Sequence, residues 1–266
     1  MTTAPTYDVD FYSDAFILDP LRHYERMREL GPIVWLPQNK VYALSRYKEC
    51  TEALRQPLLF SSSRGISLSD KVNNILKGST LHSDPPEHDR TKEITAAPLF
   101  PGALKTVEGR IKDAAEGLVD RLCARGQFDA ISDFAQYLPL TIVAELVGLP
   151  ETGQENMIKW ASATFNLFAD ENQRAQEAFA DLKELRDFLD EYGQPDKLKP
   201  GGWAKRIFEV GPERGISIET CAQLMRDYIN PSLDTTISAT GQIIKLFADN
   251  HEQWVLLSEK PELVDN

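Results

Sequence analysis

Apolar positions along most of this chain recur every three or four residues, the period of a helix with one buried face, and strand-like patterning is confined to one short region. Asp19 followed by Pro20 reads as an N-cap and a first-turn proline, and the helix over Leu21–Leu30 ends at Gly31-Pro32. The next run, IVWLPQNKVYALS, has two β-rich segments around Pro37-Gln38-Asn39 and predicts a hairpin. Ser45 then caps a helix through Arg55. Further helices are predicted at about Pro86–Ala97, Ala103–Arg125, Asp133–Val147, Glu151–Phe168 and Gln173–Tyr192, with ADEN separating the last two. A loop containing Pro195, Pro200, Gly201 and Gly202 leads to a shorter helix, and Ser217 opens the longest one. Between Ser61 and Asp84 the polar, serine-rich stretch SSSRGISLSDKVNN is too long for a passive connection and is a candidate binding loop.

The last helix keeps its three-four spacing from Cys221 and Met225 through Leu233 and Ile237 to Ile244 and Phe247, so it has to cross the middle of a core. Pro231 lies inside it, lacks an amide hydrogen and clashes with the carbonyl of Asp227, so a kink or opening costing roughly 3 kcal/mol is expected there. Just beyond sit Asp234, Thr235 and Thr236. A hydroxyl beside a widened groove holds a water or a bound oxygen species, and a neighbouring carboxylate relays protons from solvent. The alternative is that Thr235 bonds back to the carbonyl of Pro231 and Asp234 is simply solvated.

A second cluster spans Leu81–Glu93. Asp84 with Pro85-Pro86 starts a helix, and His88 and Lys92 fall four apart on one face, where two donors clamp a paired anion. A capped helix start with ordinary surface charges has the same pattern.

Composition narrows the setting. At 266 residues, 42% hydrophobic and 26% charged, the chain is an ordinary globular one with room for one large core or two small ones. A net charge of -12 argues against broad nucleic-acid binding. The start, MTTAPTYDVDFYSDAF, has no basic region followed by an apolar run, and no stretch approaches the roughly 20 apolar residues of a membrane span, so a cytoplasmic protein without a membrane partner is expected. Cys50, Cys123 and Cys221 are odd in number and widely spaced, which suggests neither disulfides nor a zinc site.

Together the two clusters resemble a known family. HSDPPEHDRTKEI followed by APLFPGAL is similar to the helix that grips the haem propionates in bacterial cytochrome P-450 monooxygenases, and NPSLDTT is similar to their oxygen-helix motif A/G-G-x-D/E-T-T. The order of hairpin, long loop, propionate helix, helical run and oxygen helix also matches. The resemblance implies a mainly α cytochrome P-450 fold with a small N-terminal β-hairpin, a single domain over residues 1–266 incomplete at its C-terminus, and haem b as cofactor. Asp234 and Thr235 match the acid-alcohol pair that delivers protons to bound dioxygen. His88 matches the propionate-binding histidine. Lys92 stands where arginine is usual and holds a carboxylate as a point charge, not as a fork. Pro231 and Ser232 replace the usual small residues before the acid, which puts the local geometry of the oxygen groove in question.

In the family, the long loop and the turn between the two middle helices line the substrate pocket. Those places offer Arg64, Ser67 and Leu68, then Phe165 and Phe168 on one helix, with Arg226 completing an anion site. The set is similar to that of members that hydroxylate or O-demethylate para-substituted benzoic acids, and implies a small aromatic acid as substrate. The alternative is a solvated Arg64 and core phenylalanines. A ferredoxin or flavin-type electron donor is expected at a basic edge formed by Arg90, Lys92 and Lys105. The family's later elements, a glutamate and arginine three apart and a glycine-rich loop before the iron-binding cysteine, do not occur here. The ending SEKPELVDN looks like the approach to that glutamate helix, so a truncated piece is expected, inactive by itself and with the apolar face of its long helix exposed. A haem-free helical module that binds a small ligand without chemistry, and an unrelated helical interaction protein, are the competing readings.

Overall fold

The computed structural model describes residues 4–169 and 172–265, so Asp170 and Glu171 of the ADEN break lie outside the described residues. The helices are α1 (Asp14–Leu18), α2 (Pro20–Leu30), α3 (Tyr47–Leu54), α4 (Asp70–Leu76), α5 (Glu87–Ala96), α6 (Pro101–Arg125), α7 (Ala144–Val147), α8 (Met157–Asn166), α9 (Gln173–Tyr192), α10 (Trp203–Val210), α11 (Ile218–Asp249) and α12 (His251–Glu259). Strands β1 (Val34–Leu36) and β2 (Val41–Ala43) pair antiparallel, with Trp35 opposite Tyr42.

Packing divides the chain into two compact units, Met1–Arg90 with Asn166–Phe179, and Thr91–Phe165 with Ala180–Asn266. In the first, the hairpin puts Val34 and Leu36 against Phe16 of α1 and Met27 of α2, with Phe11 and Tyr24 around them. The second unit is built on α11. Cys221, Leu224, Met225, Tyr228, Ile229 and Leu233 are all buried, among Val147, Leu149, Trp160, Leu189 and Ile207 from the surrounding helices. At roughly 25 cal/mol for each Å² of apolar surface removed from water, this face is the principal stabilising element of the unit.

Several boundaries differ from the expectation for stated reasons. Arg46, extended at φ -97 and ψ 140, is the N-cap of α3 in place of Ser45. The stretch Ser61–Asp84 is not one irregular loop, because α4 and a 3-10 turn at Thr80–His82 lie inside it. The segment expected to begin at Asp133 starts at Ala130, where the Asp129 carboxylate accepts from the amides of Ile131 and Ser132, and proceeds through π-helical turns. Asp133 instead pairs with Arg125. The helix expected over Glu151–Phe168 shrinks to α8 because Gly153 sits at φ 88, a left-handed conformation no helix contains, and an added Cβ there would come within 2.7 Å of Phe188. The longest helix, opened by Ser217, ends at Asp249 with Asn250 as its C-cap, and α12 follows.

Among the described residues, Ala130–Val147 is the one stretch long and apolar enough to cross a membrane by length and composition, where none was expected. It packs on α11 so closely that a Cβ at Gly241 would meet Ile131 at 2.6 Å.

Beyond Ile237 no residue of α11 is buried, and none of α12 is either. Ile243 is 53% exposed and Leu246 58%, the apolar exposure anticipated for the long helix, and Trp254 of α12 is 49% exposed. Urea unfolding should therefore separate the two halves of α11. Leu233→Ala is expected to cost about 2–5 kcal/mol, whereas Leu246→Ser is expected to change stability by no more than about 0.5 kcal/mol. Equal losses at both positions would contradict the burial boundary.

Candidate functional site

The α11 helix begins with the Ser217 hydroxyl accepting from the amide of Thr220 and runs unbroken through Pro231. One turn past the proline, Leu233 and Ile237 point into the core, Asp234 is half-buried, and Thr235 and Thr236 are exposed. The Thr235 hydroxyl donates to the Pro231 carbonyl at 2.5 Å, so the carbonyl of the helix-breaking residue is taken by a side chain one turn on. A carboxylate and a hydroxyl are thus adjacent on the open flank of a helix whose opposite flank is fixed by packing.

α5 carries the second cluster. The His88 imidazole is 38% exposed with Nδ1 3.0 Å from the Asp89 carboxylate, and Lys92 is exposed one turn further along. Arg90 bonds Glu87 at 3.1 Å, and Lys105, at the start of α6, is exposed. The far end of α5 is tied to α11 by Tyr228, whose buried hydroxyl donates to the Thr95 carbonyl at 2.8 Å, and by the Arg214–Glu93 ion pair. Burial pushes the Tyr228 phenol far above its ordinary value, so it stays a donor at any physiological pH. Sequence reasoning treated Tyr228 only as a core position. Its hydroxyl, placed among apolar neighbours, was the available signal that it needs a buried acceptor.

The residues expected to contact substrate fall in both units. Arg64 is exposed at the tip of its loop. The Ser67 hydroxyl donates to the carbonyls of Leu167 and Phe168 at 3.0 and 3.3 Å, and the Leu68 amide donates to the Phe168 carbonyl at 3.1 Å. The two phenylalanines do not share a helix as expected. Phe165 is in the last turn of α8, and Phe168 lies past its end in the turn that Ser67 and Leu68 hold. Arg226 is half-buried on α11, donates to Gln223 at 3.0 Å, and faces a cleft of about 210 Å³ walled by Leu189, Asp190, Phe208 and Met225. Burial lowers its pKa below the ordinary guanidinium value.

His82, two residues before Asp84, was not singled out as a site residue. It is 6% exposed, its Nδ1 lies 2.9 Å from the Ser79 hydroxyl, and its Nε2 has no hydrogen-bond partner among the described residues.

The described residues include the side chains expected at a haem's edge and, among them, no ligand for its iron. His88 and Lys92 stand one turn apart on α5, and Asp234 and Thr235 are consecutive on α11. None of the three cysteines is placed as a ligand: Cys221 is wholly buried with Sγ 3.7 Å from the Ile207 carbonyl, Cys50 has Sγ 3.5 Å from the Leu44 carbonyl, and Cys123 is exposed in the last turn of α6. Among the described residues no three His, Cys, Asp or Glu side chains gather at one point.

No family model matches the chain. Individual relatives do. "Cytochrome p450 CYP199A2" of Rhodopseudomonas palustris is 32% identical over 266 residues, which is 98% of this chain and 65% of that protein. Linalool 8-monooxygenase of Pseudomonas putida is 26% identical over 91% of this chain and 64% of its own length. The chain therefore spans just under two thirds of the length of these relatives. Among solved structures, full-length CYP116B46 from Tepidiphilus thermophilus superposes with a TM-score of 0.80 at 20% identity, over 97% of this chain and 36% of that one. Myxobacterial CYP267B1 in complex with myristic acid gives 0.79 at 23% identity, over 96% of this chain and 66% of its own. The mainly α architecture with its small N-terminal hairpin is theirs.

Burial holds the His82 imidazole below its ordinary pKa, so the folded chain keeps it neutral while the unfolded chain takes up a proton as pH falls below about 6.5. Its contribution to stability is complete above that pH and is lost progressively below it. Replacing His82 with Gln should flatten the stability-pH curve on the acid side, measured by urea midpoints; an unchanged slope would show that the ring titrates alike in both states.

Proposed function

We propose that the chain is part of a cytochrome P450 monooxygenase, supplying the propionate helix and the oxygen-side helix of a haem-thiolate enzyme that acts on a small aromatic carboxylic acid; its 32% identity to a P450 over 65% of that relative's length supports this reading. The observation that carries this reading is the adjacent placement of Asp234 and Thr235 on the open flank of α11, one turn past Pro231, while Leu233 and Ile237 anchor the other flank. A haem bound through a thiolate would supply the activation of dioxygen. None of Cys50, Cys123 or Cys221 is placed to provide that thiolate, so the reading requires one from outside the described residues.

The roles of this chain's own side chains follow from their chemistry. His88 and Lys92 hold the two carboxylates of the cofactor's rim, Lys92 through charge alone. Asp234 is exposed enough to exchange protons with solvent and lies next to a hydroxyl that can take them up. Thr235 performs the last transfer only after its hydroxyl leaves the Pro231 carbonyl, so a rotation about its Cα–Cβ bond is part of the cycle. Arg64 on its loop tip takes the substrate carboxylate, a charge-assisted contact worth more than a neutral one. Electrons come from a ferredoxin or flavin-type donor recognised at the basic edge around Lys92, where Arg90 and Lys105 are exposed.

In the thiolate-bearing protein, Thr235→Ala should leave substrate affinity within about twofold while product formed per electron consumed falls severalfold. Equal coupling in variant and parent would remove Thr235 from proton delivery. Arg64→Ala should weaken an aromatic acid by about tenfold or more and spare its methyl ester; parallel losses would refute the carboxylate contact.

A further inference from the structure

The loop that carries Arg64 is held at both of its ends, and its tip is a turn closed by the Gly65 amide donating to the Ser62 carbonyl at 2.9 Å. At its start, the Ser61 hydroxyl donates to Asp84 Oδ2 at 2.5 Å and the Ser62 amide donates to Asp84 Oδ1 at 2.9 Å. These bonds hold the Asp84 carboxyl below its ordinary pKa, the Ser61 hydroxyl being the largest cause. At its end, Asn73 of α4 reaches back over the loop. Its Oδ1 accepts from the amides of Ile66 and Ser67 at 3.1 and 2.9 Å, and its Nδ2 donates to the Ser67 carbonyl at 2.9 Å. Gly65 makes room for this: it sits at φ 122, and a Cβ there would fall 2.0 Å from Asn73 Cγ. The Ser67 hydroxyl then joins the loop to the turn after α8 through the Leu167 and Phe168 carbonyls. Arg64, between these anchors, forms no hydrogen bond or ion pair among the described residues.

From this arrangement we infer that Asn73 is a positioning residue, which fixes the loop so that Arg64 is presented to the substrate carboxylate in one place. The inference rests on the reading of Arg64 as the anion contact. Three side-chain hydrogen bonds from one amide to a segment of two residues have no purpose in a loop that is free to wander, since such a loop satisfies its backbone with water. The anchoring also removes the ordering entropy that a flexible arginine loop would otherwise lose on binding. Ser67 acts in the same assembly with its proton committed to backbone carbonyls, so it positions the loop and does not donate to the ligand.

The test is a double-mutant cycle in the full chain, with 4-methoxybenzoate and its methyl ester as probes in titration calorimetry. Asn73→Ala should weaken the acid at least fivefold, leave the ester unchanged, and cost nothing further in the Arg64→Ala background. Acid and ester weakening together, or an Asn73→Ala loss that persists undiminished without Arg64, would overturn the positioning role. Tryptic cleavage after Arg64 decides the matter separately from ligand chemistry. It should quicken at least tenfold in Asn73→Ala, and also in Ser67→Ala, a smaller change that keeps the test alive if the first variant does not fold. Should the parent chain show no preference for the acid, the carboxylate reading of Arg64 fails, and cleavage rates alone then judge the clasp: unchanged rates in both variants would overturn it.

Discussion

Burial of one face of α11 is the constraint on which the second unit depends. From Cys221 to Leu233 that face is enclosed by Val147, Leu149, Trp160, Leu189 and Ile207, and the helix has no freedom to rotate about its axis without exposing Leu224 or Leu233. Fixing the apolar side fixes the polar side as well. Asp234 and Thr235 are held on the open flank because their neighbours at Leu233 and Ile237 cannot leave the core. Tyr228 extends the same constraint to α5, since its buried hydroxyl requires the Thr95 carbonyl and so fixes the distance between the two helices at that point.

The helical proline is tolerated within this frame. Losing one backbone hydrogen bond at Pro231 costs a few kcal/mol in isolation, while a face of six fully buried side chains stabilises the same helix by considerably more. Thr235 occupies the Pro231 carbonyl in the meantime, which stabilises the resting helix and keeps the hydroxyl one rotation away from the open flank. The structure thus has Thr235 in the back-bonded state, the alternative that the sequence left open, and the proposed proton delivery requires a different rotamer of the same side chain.

Periodicity made much of the fold legible, and its failures have definite causes. Gln173–Tyr192 is read correctly to the residue because its three-four pattern has no interruption. Helix α8 was overextended because the pattern is indifferent to Gly153, whose backbone is left-handed and whose missing Cβ leaves room for Phe188, far away in sequence. Asp129 and Asp133 are both plausible caps by type, and only the pairing of Asp133 with Arg125 decides between them. At the site, the Asp234-Thr235 pair and the His88–Lys92 spacing were legible as local motifs. The work of Ser67 was not, because its hydroxyl bonds a carbonyl 100 residues away, and no local pattern encodes that partner. Asn73 escaped notice for a related reason: in sequence it is one polar residue in a polar stretch, and its role appears only when α4 folds it back over the loop.

The central claim is that this chain carries the propionate and oxygen-side helices of a haem-thiolate enzyme, with the thiolate supplied from outside the described residues. The carbon monoxide difference spectrum of the reduced natural product that contains this chain tests it most directly. A thiolate-type band is the predicted result, since it reports sulfur on iron at a haem held by these helices. A haem band of the histidine-ligated type, or a purified product that carries no haem, would contradict the account.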